Sequence, residues 1–112
     1  MKTKLFSQGL LLLGLGLPAT GALAAEEPYA LAIRDHQFVP SEIEIPAGKK
    51  IKLIVANEDS TPEEFESRSL KREKIIPGKS RVTLSIGPLD PGSYEFFGEF
   101  HEATAKGRLI AK

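Results

Sequence analysis

The sequence predicts an all-β protein, a β-sandwich preceded by an export signal. Three observations carry that reading. Six or seven short runs alternate apolar and polar residues, the period of a strand with one buried face. Turn signals such as Pro46-Ala47-Gly48, Pro77-Gly78 and Pro91-Gly92 separate these runs about every ten residues, the spacing of an antiparallel sandwich. Helical periodicity is absent once the first 25 residues are passed.

Met1 to Ser7 carries Lys2 and Lys4 and no acid. Leu10 to Leu17 is an apolar run of leucine and glycine, Pro18 breaks it, and Ala22-Leu23-Ala24-Ala25 offers small residues for cleavage. These are the three regions of a secretory signal peptide, expected to end at residue 24 or 25. The run falls far short of the ~20 apolar residues that span a bilayer, so no membrane insertion is expected after cleavage. Residues 26–112 are then one folded domain.

Within it, Tyr29-Ala30-Leu31-Ala32-Ile33 reads as a first strand, and polar Asp35-His36-Gln37 follows. Glu42-Ile43-Glu44-Ile45 alternates strictly, acid out and isoleucine in. Lys50 to Val55 puts Ile51, Leu53 and Val55 on one face. Val82 to Ile86 alternates again. The closing stretch, Tyr94 to Phe97 and then Gly107 to Ala111, is strand, polar loop, strand. One segment breaks the pattern. Residues 58–66 hold five acids and no cation, and residues 68–81 answer with Arg68, Lys71, Arg72, Lys74, Lys79 and Arg81. A short irregular or helical insertion is expected around 58–72.

Composition excludes several functions. There is no cysteine, hence no disulfide and no lipid anchor at the cleavage site. Export without disulfides points to the bacterial periplasm. Without Lys2 and Lys4, 13 cations face 15 acids, a balance that does not predict nucleic-acid binding. No phosphate loop is present, and no Ser-His-Asp arrangement can be argued from spacing. A domain this small has little room for a deep substrate cleft, so an independent enzyme is not expected.

Metal binding is the chemistry the residues support. His101 stands between Glu99 and Glu102, and His36 stands beside Asp35. Glu63, Glu64 and Glu66 add carboxylates. The one methionine, Met1, leaves with the signal, so only nitrogen and oxygen donors remain. Such a set suits Cu(II), Fe(III), Mn(II) or Zn(II) and rules out a thiolate copper centre. The competing reading is that these charges simply face water. Glu64 and Glu66 would then pair with Arg68, Arg72 or Lys74, at about 0–1 kcal/mol per exposed pair.

The order of the pieces resembles a cupredoxin. Phe38-x-Pro40-x-x-Ile43-x-Ile45-x-x-Gly48-x-x-Ile51-x-Leu53-x-Val55-x-Asn57 is similar to the opening strands of that family. Gly92-x-Tyr94-x-Phe96-x-Gly98-x-x-His101 and Gly107-x-Leu109 are similar to its closing strands and ligand loop. The resemblance implies a cupredoxin-like Greek-key β-sandwich of about seven strands. It also implies that Glu63 stands at the first ligand histidine, Gly98 at the ligand cysteine and Ala105 at the ligand methionine, with His101 retained. Three of four ligands are replaced, so blue-copper electron transfer does not carry over.

The replacements resemble one cupredoxin-like subfamily, on Thr61-Pro62-Glu63-Glu64-Phe65-Glu66-Ser67, Leu70-x-Arg72-Glu73-Lys74, Gly98-Glu99-Phe100-His101 and Asp35-His36-x-Phe38. Its members are exported proteins that accompany a bacterial high-affinity iron permease and a periplasmic iron/copper-binding protein. The resemblance implies a periplasmic protein that binds copper or iron and assists iron uptake. His101 and Glu63 lead the candidate ligands. Strand alternation puts Glu63 on the side of Phe65, and Glu64 and Glu66 on the other. Glu99 reaches the site if Gly98 bends the strand. His36 is the candidate for a second site, with Glu66 or Glu99. The alternative function is a metal-free adaptor that docks partners through its acidic 58–66 and basic 68–81 segments.

Overall fold

The computed structural model describes residues 27–112, so the signal-peptide reading of residues 1–25 lies outside the described residues. These residues form nine strands: β1 (Tyr29–Arg34), β2 (Gln37–Val39), β3 (Glu42–Ile45), β4 (Ile51–Asn57), β5 (Glu63–Ser67), β6 (Arg72–Ile76), β7 (Arg81–Ile86), β8 (Gly92–Phe97) and β9 (Lys106–Ala111). A single 3-10 turn, Glu99–His101, interrupts the last hairpin. Among the described residues, no helix is long and apolar enough to cross a membrane.

The strands make two sheets, ordered β2-β1-β4-β7 and β3-β9-β8-β5-β6. The expected cupredoxin-like sandwich is what forms, with differences. The sandwich is not wholly antiparallel, because β1 runs parallel to β4 and β3 parallel to β9. Both parallel pairs join strands separated by a crossing to the other sheet, as parallel neighbours require. The count rises from about seven strands to nine because β2 and β6 are strands. The expected insertion around 58–72 is instead a hairpin, β5 turning into β6 with Glu66 opposite Glu73. Its helical reading fails on alternation: Glu63, Phe65 and Ser67 take one face of β5, and Glu64 and Glu66 the other.

The core follows the period-two pattern. Ile43 and Ile45 are buried while Glu42 and Glu44 are exposed, and Ile51, Leu53 and Val55 are buried on β4. Phe38, Phe65 and Phe96 meet at the centre, from β2, β5 and β8. Their ring centroids are 6.2 Å (Phe38–Phe65), 4.8 Å (Phe38–Phe96) and 5.0 Å (Phe65–Phe96) apart. Edge-to-face and tilted aromatic contacts of this kind add about 0.5–1.5 kcal/mol each beyond area burial. This cluster fixes the strand ends that carry the site: β2 follows the His36 turn, β5 starts at Glu63, and β8 leads into the His101 turn.

Candidate metal centre

Glu63 is the pivot. Its side chain is only 1 % exposed, yet it is a carboxylate at the first position of β5. A buried carboxylate requires partners, because taking the charge out of water costs several kcal/mol in real proteins. The partners are two imidazoles. His36 Nδ1 lies 2.5 Å from Glu63 Oε2, and His101 Nδ1 lies 3.1 Å from Oε1. The two rings stack, centroids 3.6 Å apart and 17° from parallel. The imidazole side chains are 42 % and 35 % exposed, so the group opens to solvent on the histidine side.

His36, Glu63 and His101 thus form one group whose donor atoms all lie within 4.8 Å of one another. This corrects two expectations. His36 does not belong to a second site with Glu66 or Glu99; the β1–β2 turn swings it over Glu63. Glu99 does not join His101, because the two residues leave the 3-10 turn in different directions. The carboxylate at Glu63 raises the His36 pKa above its ordinary value, chiefly through their hydrogen bond and against the cost of desolvation. Asp59, 3.5 Å from His36 Nδ1, is held below the usual carboxylate range, first by the His36 N–H it accepts.

A second group occupies the opposite face of β5. Glu64, Glu66, Glu73 and Glu99 also place donor oxygens within 4.8 Å of one another. Alternation therefore separates Glu63 from Glu64 and Glu66 as predicted, and Glu99 joins the latter pair. Glu64 is 2 % exposed, and its Oε1 accepts the Glu99 N–H at 2.8 Å. Burial pushes its carboxyl up to about 7 against that hydrogen bond, with Glu73 and Glu66 adding to the rise. Glu66 Oε1 is buried without a hydrogen-bond partner. Among the described residues Glu64 and Glu66 make no salt bridge to Arg68, Arg72 or Lys74. Arg68 instead lies over the Phe97 ring at 4.7 Å, and Arg72 donates to the Ser85 carbonyl. Glu73 escaped the sequence reading because it became visible only with the β5–β6 register, which sets it opposite Glu66.

The two positions that the resemblance sets at the family's sulfur ligands, Gly98 and Ala105, are closed. Gly98 donates its N–H to the Ala105 carbonyl at 2.9 Å. A Cβ on Gly98 would meet the Glu64 carbonyl at 2.8 Å and the Ala105 Cβ at 3.1 Å. Ala105 is itself 1 % exposed. There is no cysteine in the chain and no room at Gly98 for a thiolate, so the donor set does not fit blue copper. It does fit a cation that takes imidazole nitrogen and carboxylate oxygen.

A two-sheet sandwich with a histidine on the loop before its last strand, and a buried carboxylate from β5 facing it, defines a cupredoxin-type domain. The chain belongs to the cupredoxin-like domain family, whose pattern it matches over residues 9–111. An uncharacterized protein of Rickettsia prowazekii is 49% identical over 80 residues, 71% of this chain and 64% of the relative. The chain therefore spans less than two thirds of that relative's length. Among solved structures, auracyanin A, a blue copper protein from Chloroflexus aurantiacus, superposes with a TM-score of 0.66 at 11% identity, covering 77% of this chain and 98% of that one. Amicyanin from Paracoccus versutus gives 0.61 at 15% identity over 81% and 87%. A purple cupredoxin from Nitrosopumilus maritimus gives 0.58 at 18% over 75% and 99%. At these identities the likeness is one of fold.

Proposed function

We propose that this domain binds a copper or iron ion through His36, Glu63 and His101, and that it serves metal handling in bacterial iron uptake as an exported protein. One observation carries the metal reading: a nearly inaccessible carboxylate, Glu63, faces two imidazole nitrogens at 2.5 and 3.1 Å at the mouth of a cupredoxin sandwich. Two nitrogens and a carboxylate suit Cu(II) and also iron. A bound copper or iron ion would supply a one-electron couple. The chain's own part is to hold the donors together, keep Glu63 dry and leave the histidine side open to exchange.

The four-carboxylate group behind β5 offers hard oxygen donors only, the kind Fe(III) takes. Glu66 Oε1, buried without a partner, is the atom a cation there would satisfy. The uptake role, with an iron permease and a periplasmic iron/copper-binding protein as partners, rests on the subfamily resemblance of residues 61–74 and 98–101. Fe(II) oxidation would need an electron acceptor from such a partner, so the domain is read as an accessory and not as a free-standing enzyme. The acidic-docking alternative is weakened by where the acids go. Glu63 and Glu64 are buried, Glu58 pairs with Arg34 at 2.8 Å, and Asp59 accepts two backbone N–H groups.

Calorimetry of residues 26–112 with Cu(II), Fe(III) and Mn(II) tests the reading. Binding of at least one ion tighter than about 100 μM is expected, roughly 5.5 kcal/mol. His101→Ala should abolish Cu(II) binding. If none of the three ions binds, or if His101→Ala binds Cu(II) as tightly as wild type, the proposal is wrong.

A further inference from the structure

We infer that Asp59 and Thr104 are positioning residues that clamp the His36 turn over Glu63 and His101, an inference that rests on the metal reading above. The turn between β1 and β2 has only two residues outside the ladder, Asp35 and His36, since Arg34 pairs with Gln37. Both have left-handed backbone, φ 52° and 59°. Two-residue hairpins with positive φ at both central positions favour Asp-Gly or Asn-Gly. Asp35 fits the first position. His36 stands where glycine would be least strained, and a side chain kept at such a position must be held there by its surroundings.

The surroundings are specific. Asp59 Oδ1 accepts the Asp35 N–H at 2.9 Å, and its Oδ2 accepts the His36 N–H at 3.0 Å. The Thr104 hydroxyl donates to the His36 carbonyl at 2.6 Å. Both backbone polar groups of His36 are therefore tied by side chains from elsewhere in the chain. Each tether is anchored in turn. The Asp59 N–H donates to Asn57 Oδ1 at 2.9 Å. Buried Asn57 gives its amide N–H groups to the carbonyls of Thr61, Ile76 and Pro77. Thr104 gives its own N–H to the His101 carbonyl at 3.0 Å. Asp59 thus links His36 to the sandwich core, and Thr104 links it to the backbone of the opposing histidine. Because both Asp59 oxygens already accept turn N–H groups, Asp59 acts through His36 and not as a second carboxylate on the ion.

The experiment has a metal-free arm and a metal arm. In the metal-free protein, NMR should show ring-to-ring NOEs between His36 and His101. Asp59→Ala should lose them while the strand amides keep their wild-type pattern. In competition titrations with Cu(II), Asp59→Ala should weaken binding about 10–100-fold, the usual effect of removing a group that orients a metal-binding histidine. The same change on a His36→Ala background should do nothing further, and Asp59→Asn, which keeps one acceptor oxygen, should recover part of the loss. Should Asp59→Ala fail to fold, Thr104→Val, at an exposed position, takes its place in both arms. NOEs that survive both Asp59→Ala and Thr104→Val would overturn the inference. So would an affinity loss of equal size without His36. A wild-type protein that takes up no Cu(II) would count against that ion at the metal site, and the NOE arm would still decide the clamp.

Discussion

Glu63→Gln is the change that bears most directly on the site. It keeps the shape of a side chain that is 1 % exposed and removes its charge. The carboxylate has two oxygens that each face an imidazole Nδ1; the amide offers one acceptor and one donor, so only one histidine keeps an acceptor for an Nδ1–H. Hydrogen bonds to a charged group contribute about 1.5–3 kcal/mol each, and a ligand bond to a cation is worth at least as much. Losing the carboxylate as a ligand should therefore cost about 2–3 kcal/mol of metal affinity, roughly 30- to 150-fold. Fold stability should change little or rise, because relief from burying the charge offsets the lost hydrogen bonds. A second signature lies in His36. Its raised pKa comes first from Glu63, so in the variant it should fall back toward 6.5. The sign follows from linkage. In wild type the His36 contribution to stability is full below 6.5 and lost as pH rises through the raised folded value, and the variant should lack that slope. Competition titration with Cu(II) reads the affinity, urea melts read the stability and NMR reads the histidine. An unchanged affinity in a folded variant would refute the argument that Glu63 is a ligand.

Glu64→Gln should flatten the acid limb of the stability curve. The wild-type carboxyl moves from its ordinary 4.5 to about 7, so the folded chain retains a proton that the unfolded chain releases in that window. Stability is full below about 4.5 and falls as pH rises to about 7, by on the order of 3 kcal/mol; urea midpoints at pH 4.5 and 7 that fall as far in the variant would contradict this. Gly98→Cys should restore no blue copper centre. Its Cβ would meet the Glu64 carbonyl at 2.8 Å, so the variant should lose about 1–3 kcal/mol and show no thiolate-to-copper absorption; a blue band on Cu(II) addition would overturn the steric argument.

Much of the fold was legible because alternation reports burial directly: Glu42-Ile43-Glu44-Ile45 buries what it should. The 58–72 segment was illegible for the same reason. Glu63, Glu64 and Phe65 are all buried, so β5 shows no polar-apolar alternation although it is a strand. The candidate ligands His101 and Glu63 were legible from their places in the cupredoxin pattern. The sequence marks His36 as a candidate but sets it with Glu66 or Glu99 where the structure sets it with Glu63, because turn geometry decides the partner. Only the left-handed pair Asp35-His36 swings the ring over Glu63, and a single sequence with histidine where glycine is usual does not announce such a turn. Glu73 needed a register, and Asp59 and Thr104 needed the loops to meet.

The two groups of donors are not independent. Glu63 and Glu64 are adjacent on one strand and face opposite ways, so any shift of β5 moves both. Glu64 also accepts the N–H of Glu99, which opens the short turn ending in His101. Glu64 therefore helps fix where the His101 ring stands over Glu63, though it does not touch that ring's nitrogens. The closing of the Gly98 position follows from the same contacts, since the backbone of β5 at Glu64 approaches it so closely. The lack of a side chain at Gly98 leaves room for β5 to lie this close to the turn that carries His101, whose Nδ1 stands 3.1 Å from Glu63 Oε1. A thiolate at residue 98 and this close approach of β5 are thus alternatives within one sandwich: the contacts of the second occupy the space the first would need.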